Sequence, residues 1–149
     1  QPGEYDWGSV DGSVDAAVAC GVEPVIKISA GPGPGQDSTP PGDMEAYGRF
    51  VGALAEHLKG RVRVYAIENE LNNGRMVSWT GETYGPVRAA AYAAIKSVDP
   101  DATVLDSGLT MQGGVLDSNG QMAFLKMATV TREDKVSVPA FGSLMPVAP

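Results

Sequence analysis

Apolar residues recur along this chain with two alternating periods, and the changes from one to the other mark out its elements. Val10, Val14, Ala17 and Val18 stand at helical spacing behind Ser9, a candidate N-cap, until Gly21 stops the run. Pro24 then opens the β-branched run Val25-Ile26-Lys27-Ile28, which predicts a strand because proline is tolerated at a strand's first residue. Residues 31 to 42 mix Gly, Pro, Ser, Thr and Asp too densely for either period and predict a long loop. Asp43 is expected to cap a second helix, whose Tyr47, Val51, Leu54 and Leu58 form one apolar stripe and whose end is marked by Gly60. A second strand follows from Val62 to Ile67. Thr83 is expected to cap a third helix with Pro86 in its first turn and Tyr84, Val87, Ala91, Ile95 and Val98 as its buried stripe. Thr103 to Asp106 predicts a third strand, roughly Asn119 to Val130 a weaker helix, and Val136 to Val138 a last strand.

Strand starts at residues 24, 62, 103 and 136 leave one helix in each interval. Alternating β and α units predict an α/β protein with a parallel sheet, either an open doubly wound sheet or part of a barrel. In both, ligands bind at the carboxyl ends of the strands. The open sheet usually carries a glycine-rich phosphate turn. Gly31-Pro32-Gly33-Pro34-Gly35 is a poor one, because its prolines lack amide donors and no helix is expected directly behind it.

Composition narrows the partners. At 149 residues, 43% hydrophobic and 19% charged, the chain can bury a core of its own. A net charge of -7 repels phosphate backbones and anionic membrane surfaces, so neither nucleic acid nor a membrane is an expected partner. Cys20 allows no internal disulfide, and with His57 as the sole histidine no zinc site of the usual kind is expected, nor any other metal or cofactor. Cys20 is expected to be a small buried residue and His57 plain surface. No basic-then-apolar leader and no long apolar span are visible, and the chain opens on Gln; its compartment is left open.

The chemistry concentrates where the second strand ends, in Glu68-Asn69-Glu70-Leu71-Asn72-Asn73. Alternation would set Val62, Val64, Ala66, Glu68 and Glu70 on one face and Arg63, Tyr65 and Ile67 on the other. If Tyr65 and Ile67 meet the helices, Glu68 and Glu70 face the barrel mouth. Tyr65-Ala66-Ile67-Glu68-Asn69-Glu70 resembles the fourth-strand signature of clan A glycoside hydrolases, the TIM-barrel glycosidases that include many cellulases, mannanases and β-xylosidases. Pro2-Gly3-Glu4-Tyr5-Asp6-Trp7 is similar to their loop after strand 2. The Trp79 to Tyr84 segment and Asp99-Pro100-Asp101-Ala102 resemble their passage towards strand 5. The chain departs from the pattern at Leu71, where many members have Pro, at Glu68, where Gly or Trp is frequent, and at Pro139-Ala140-Phe141, in place of a His-x-Tyr type of sequence.

The resemblance implies a partial (β/α)8 barrel covering strands 3 to 6, acting on carbohydrate, with Glu70 as catalytic acid/base and Asn69 hydrogen-bonding the sugar. In the retaining mechanism two carboxyl groups about 5 to 5.5 Å apart share the work, one attacking the anomeric carbon and the other protonating the leaving oxygen. The family's nucleophile closes strand 7, so it is expected outside this chain, and 149 residues against about 250 for a whole barrel are expected to be inactive alone. Further candidates for sugar contact are Trp79, by stacking or else by packing under its loop; Lys27, facing the site or an edge; Glu68, paired or touching sugar; and Asn72, otherwise a loop former. A different class stays open: a non-catalytic carbohydrate-binding or half-barrel assembly protein that self-associates through open sheet edges.

Overall fold

The computed structural model describes residues 3–30, 39–71, 79–106 and 108. Six elements lie within them: α1 (Gly8–Ala19), β1 (Val25–Ile28), α2 (Met44–Leu58), β2 (Val64–Ile67), α3 (Gly81–Val98) and β3 (Thr103–Leu105). The strands form one parallel sheet in chain order, β1-β2-β3, with Val25 opposite Val64 and Val64 opposite Thr103. The protein is therefore α/β, as the alternation predicts. The helix expected near residues 119–130 and the strand at 136–138 lie outside the described residues, as does most of the loop after β1.

Local chemistry explains α2 well. Asp43 Oδ1 accepts the amide hydrogen of Ala46 at 2.9 Å, satisfying one of the donors a helix start leaves unpaired. Tyr47, Val51, Leu54 and Leu58 are all buried, and Gly60 ends the run at φ 83°, a backbone conformation open to glycine at little cost. Burying each such side chain contributes about 1.5–3 kcal/mol, so this stripe anchors the helix. α3 packs beside it, with Gly52 facing Ala94 at a distance where a Cβ would make ordinary contact, 3.9 Å.

Two helix starts differ from expectation. In α3 the N-cap is Thr80, whose hydroxyl accepts from the Thr83 amide at 3.2 Å while the Thr83 hydroxyl accepts from the Thr80 amide at 2.9 Å. This reciprocal capping box outweighs the proline rule. The helix begins at Gly81, and exposed Pro86 sits in its second turn, where its ring removes the bond that would reach the carbonyl of Glu82. In α1 the N-cap is Trp7, without a side-chain bond, and Ser9 lies inside the helix. Only Val14 of its expected stripe is buried; Val18 is 50% exposed, and Cys20 is exposed rather than inside.

α1 is held instead by polar and aromatic contacts. Asp11 accepts from Arg61 Nη2 at 2.7 Å and pairs with His57 Nε2 at 2.8 Å, and Asp15 accepts from Arg61 Nη1 at 3.0 Å. The His57 ring also stacks on Trp7, centroids 5.1 Å apart, so His57 is not plain surface.

The register divides the sheet into two faces. Ile26, Ile28, Tyr65, Ile67 and Val104 belong to the apolar core with α2 and α3, and Tyr65 and Ile67 meet the helices as the alternation predicts. The opposite face carries Val25, Lys27, Val64, Ala66, Thr103 and Leu105, of which Val25, Lys27 and Thr103 are exposed.

Candidate active site

The strand alternation breaks one residue after β2. Glu68 and Glu70 both adopt left-handed backbone, at φ 62° and 53°, on either side of Asn69. Such a conformation costs a non-glycine residue about 1–3 kcal/mol and persists only where the surroundings enforce it. Here the surroundings do. The Glu68 amide donates to the Ile28 carbonyl at 2.9 Å, the Ala30 amide donates a short hydrogen bond to Glu68 Oε1, and the Glu70 amide donates to the Gly108 carbonyl at 2.7 Å. The exit of β2 is thus tied to the exits of β1 and β3 at once.

The turn breaks the strict alternation expected through Glu68 and Glu70. Glu68 does not continue the outward series of Val64 and Ala66; its turned backbone leaves it 2% exposed, bound to Ala30 and close enough to Tyr47 for its charge to act there. Burial first and the Glu68 carboxylate second push the Tyr47 phenol well above its ordinary value, and its hydroxyl is buried without a hydrogen-bond partner. Asn69 is exposed and Glu70 is half-buried. The Asn69 side chain lies over Gly108, where an added Cβ would stand 3.2 Å from Asn69 Oδ1.

A buried polar cluster supports this exit from the helix side. The Tyr84 hydroxyl lies 3.1 Å from the Ile67 carbonyl oxygen and 3.0 Å from Asp106 Oδ1, so its one proton serves two acceptors. Arg88 Nη1 donates to Asp106 Oδ2 at 3.0 Å, with both side chains almost wholly buried. Arg88 Nε is buried without a partner. Sequence reasoning placed Tyr84 in the buried stripe but missed its polar cluster with Arg88 and Asp106, although a signal exists: Arg88 stands one turn from Tyr84 within the apolar stripe of α3. A cation there requires a buried carboxylate.

Of the other sequence candidates, Trp79 and Lys27 fall within the described residues. Trp79 is 5% exposed and meets Tyr84 edge-on with centroids 6.3 Å apart, a placement that supports packing over stacking on a ligand. Lys27 is exposed on the sheet face opposite Ile28 and Ile67. Asn72 lies outside the described residues. No group of three or more His, Cys, Asp or Glu suited to a metal ion occurs among the described residues, and no helix among them is long and apolar enough to cross a membrane.

Among solved structures the chain is similar to a glucosidase from Croceicoccus marinus, at TM-score 0.65 and 22% identity, over 73% of this chain and 24% of that one. The chain shares the fold of part of that glucosidase. A family 39 glycoside hydrolase from the gut symbiont Bacteroides cellulosilyticus WH2 matches at TM-score 0.55 and 23% identity, over 72% of this chain and 24% of that one. The exo-β-1,4-mannosidase Op5Man5 from Opitutaceae bacterium strain TAV5 matches at 0.53 and 22%, over 71% and 22%. The chain spans about a quarter of the length of these glycoside hydrolases. No protein-family model and no curated protein matches it. At such identities the likeness is one of fold, and it gives the Glu68-Asn69-Glu70 exit a setting: the carboxyl end of the middle strand in a parallel α/β sheet.

Proposed function

We propose that this chain is part of a glycoside hydrolase in which Glu70 is the general acid/base and Asn69 hydrogen-bonds the sugar, within a partial (β/α)8 barrel. The observation that carries the reading is the place of the Asn69-Glu70 pair: at the carboxyl end of β2, in a fold shared with glycoside hydrolases, with Asn69 exposed and Glu70 half-buried. Carboxyl ends of parallel strands are where ligands meet this class of fold. The substrate is a carbohydrate with an O-glycosidic bond, and the nucleophilic carboxylate in this reading comes from outside this chain. Lys27, Glu68 and Asn72 are further proposed sugar contacts.

A general acid matters most when the leaving group is poor, because a sugar alkoxide needs a proton in the transition state and an activated nitrophenolate does not. In an active glycosidase containing this chain, Glu70→Gln lowers hydrolysis of natural glycosides by about 10² or more and spares glycosyl-enzyme formation from activated aryl glycosides. Glu68→Gln shows no such dependence. Leaving-group dependence in the Glu68 variant alone would move the role to that residue, and its absence in both would remove the glycosidase reading of this exit.

A second reading has one observation in its favour. Val18, Val22 and Val25 are each at least half exposed, at 50%, 57% and 55%, around the start of β1, an outer strand among the described residues. An apolar surface beside a strand edge that is unpaired among the described residues favours association, which supports a half-barrel assembly protein. Sedimentation of the 149-residue chain tests it: a monomer at high concentration rules the assembly out.

A further inference from the structure

The segment from Ile67 to Glu70 is gripped at both ends by one neighbouring strand exit. At its start, the Tyr84 hydroxyl bridges the Ile67 carbonyl oxygen, at 3.1 Å, and Asp106 Oδ1, at 3.0 Å. At its end, the Gly108 carbonyl takes the Glu70 amide hydrogen at 2.7 Å, and the bare Cα of Gly108 lies under Asn69 Oδ1. Asp106 and Gly108 stand two residues apart in the chain, so anchoring one keeps the other within about 7 Å. Whatever fixes Asp106 therefore restricts where the Gly108 carbonyl can be.

Arg88 fixes Asp106. Its Nη1 donates to Oδ2 at 3.0 Å while Tyr84 occupies Oδ1, so both carboxylate oxygens are engaged and the group cannot turn. Stability alone is a weak reason for such a cluster, since desolvating two charges offsets most of their attraction and well-packed apolar residues serve as well. Its geometry suits another task. Two left-handed glutamates need enforcement, and this cluster braces the exit from the β3 side as the Ala30 amide braces it from the β1 side.

We propose that Tyr84, Asp106 and Arg88 are positioning residues that hold Asn69 and Glu70 in their working orientation. The proposal rests on the reading of Glu70 as the acid/base. It is tested on the 149-residue chain by amide hydrogen exchange, followed residue by residue with NMR, in Tyr84→Phe, which deletes one hydroxyl, and in Asp106→Asn, which keeps an acceptor oxygen but removes the charge. Exchange at the Glu70 amide is expected to quicken about tenfold or more in both variants, while the Leu54 and Ala55 amides inside α2 change by less than about twofold, as for local opening. Uniform quickening across α2 and the sheet would make the cluster an ordinary stabilising group and overturn the proposal. Unchanged exchange at Glu70 would also overturn it, and so would failure of both variants to fold. No sugar enters this measurement, so its result is separate from the leaving-group test of Glu70→Gln, which decides the acid/base role.

Discussion

The Glu70 amide donates to the Gly108 carbonyl at 2.7 Å, tying the residue proposed as acid/base to the exit of the next strand. The same glycine leaves room for Asn69, since a Cβ on it would come within 3.2 Å of Asn69 Oδ1. Asn69 is exposed and its side chain can rotate away, so Gly108→Ala is expected to change stability by less than about 1 kcal/mol, within the usual range of glycine substitutions. The Asn69 side-chain amide resonances should nevertheless shift. An unmoved Asn69 signal would mean that Gly108 does not set its position.

Trp79 supplies a contrast. Because it is 5% exposed and packed edge-on against Tyr84, Trp79→Ala should lower stability by about 3–5 kcal/mol, the cost of a large aromatic cavity. Urea unfolding measures this. A loss below about 1 kcal/mol, typical of surface positions, would return Trp79 to the candidates for stacking on a sugar.

Glu68 is expected to act through the hydrogen bond it accepts from the Ala30 amide. Glu68→Gln keeps an oxygen for that donor, whereas Glu68→Ala strands it. The alanine variant should be less stable than the glutamine variant by about 1–3 kcal/mol, the penalty for an unmet buried donor. Equal stabilities would show that the Ala30 bond contributes nothing.

Alkali should weaken the fold through two tyrosines. Burial first and Asp99 second push the Tyr65 phenol up to about 12, and Tyr47 is raised further by burial and Glu68. A phenol that ionises less readily when folded contributes stability that is whole below the ordinary value near 10 and is lost as pH rises above it. Tyr65→Phe and Tyr47→Phe should each flatten the fall in stability above about pH 10. Tyr47→Phe also removes a buried hydroxyl without a partner, so near neutrality it should be neutral or stabilising by up to about 1 kcal/mol. Marked destabilisation there would mean that the hydroxyl does bond.

At the acid end the sign reverses. The hydrogen bond from Arg61, and then that from His57, hold the Asp11 carboxyl below its ordinary value of 3.8, so its contribution is present above that value and disappears as pH falls through the folded one. Asp11→Asn should therefore be less stable than the parent at pH 6 and converge with it at about pH 2. A gap that persists undiminished in acid would assign the effect to packing.

Periodicity alone identified α2, β2 and the stripe of α3, because a repeating apolar face reports burial wherever it packs: Tyr47, Val51, Leu54, Leu58, Tyr65, Ile67, Tyr84, Val87, Ala91 and Ile95 are all inside. It also located the polar strand exit with Asn69 and Glu70, since such residues cannot continue an apolar strand. Tertiary structure decided the rest. Val18 and Cys20 are exposed because α1 is held by Asp11, Asp15 and Trp7 rather than by a full apolar stripe, and His57 is engaged because those partners reach it from far along the chain. Glu68 turns inward because Ile28 and Ala30 on one neighbouring exit and Gly108 on the other bind the segment into left-handed backbone. Arg88 finds Asp106 only once α3 packs against the sheet. Local pattern records which residues avoid water; which polar groups meet depends on strand register and helix placement, and those are properties of the assembled sheet.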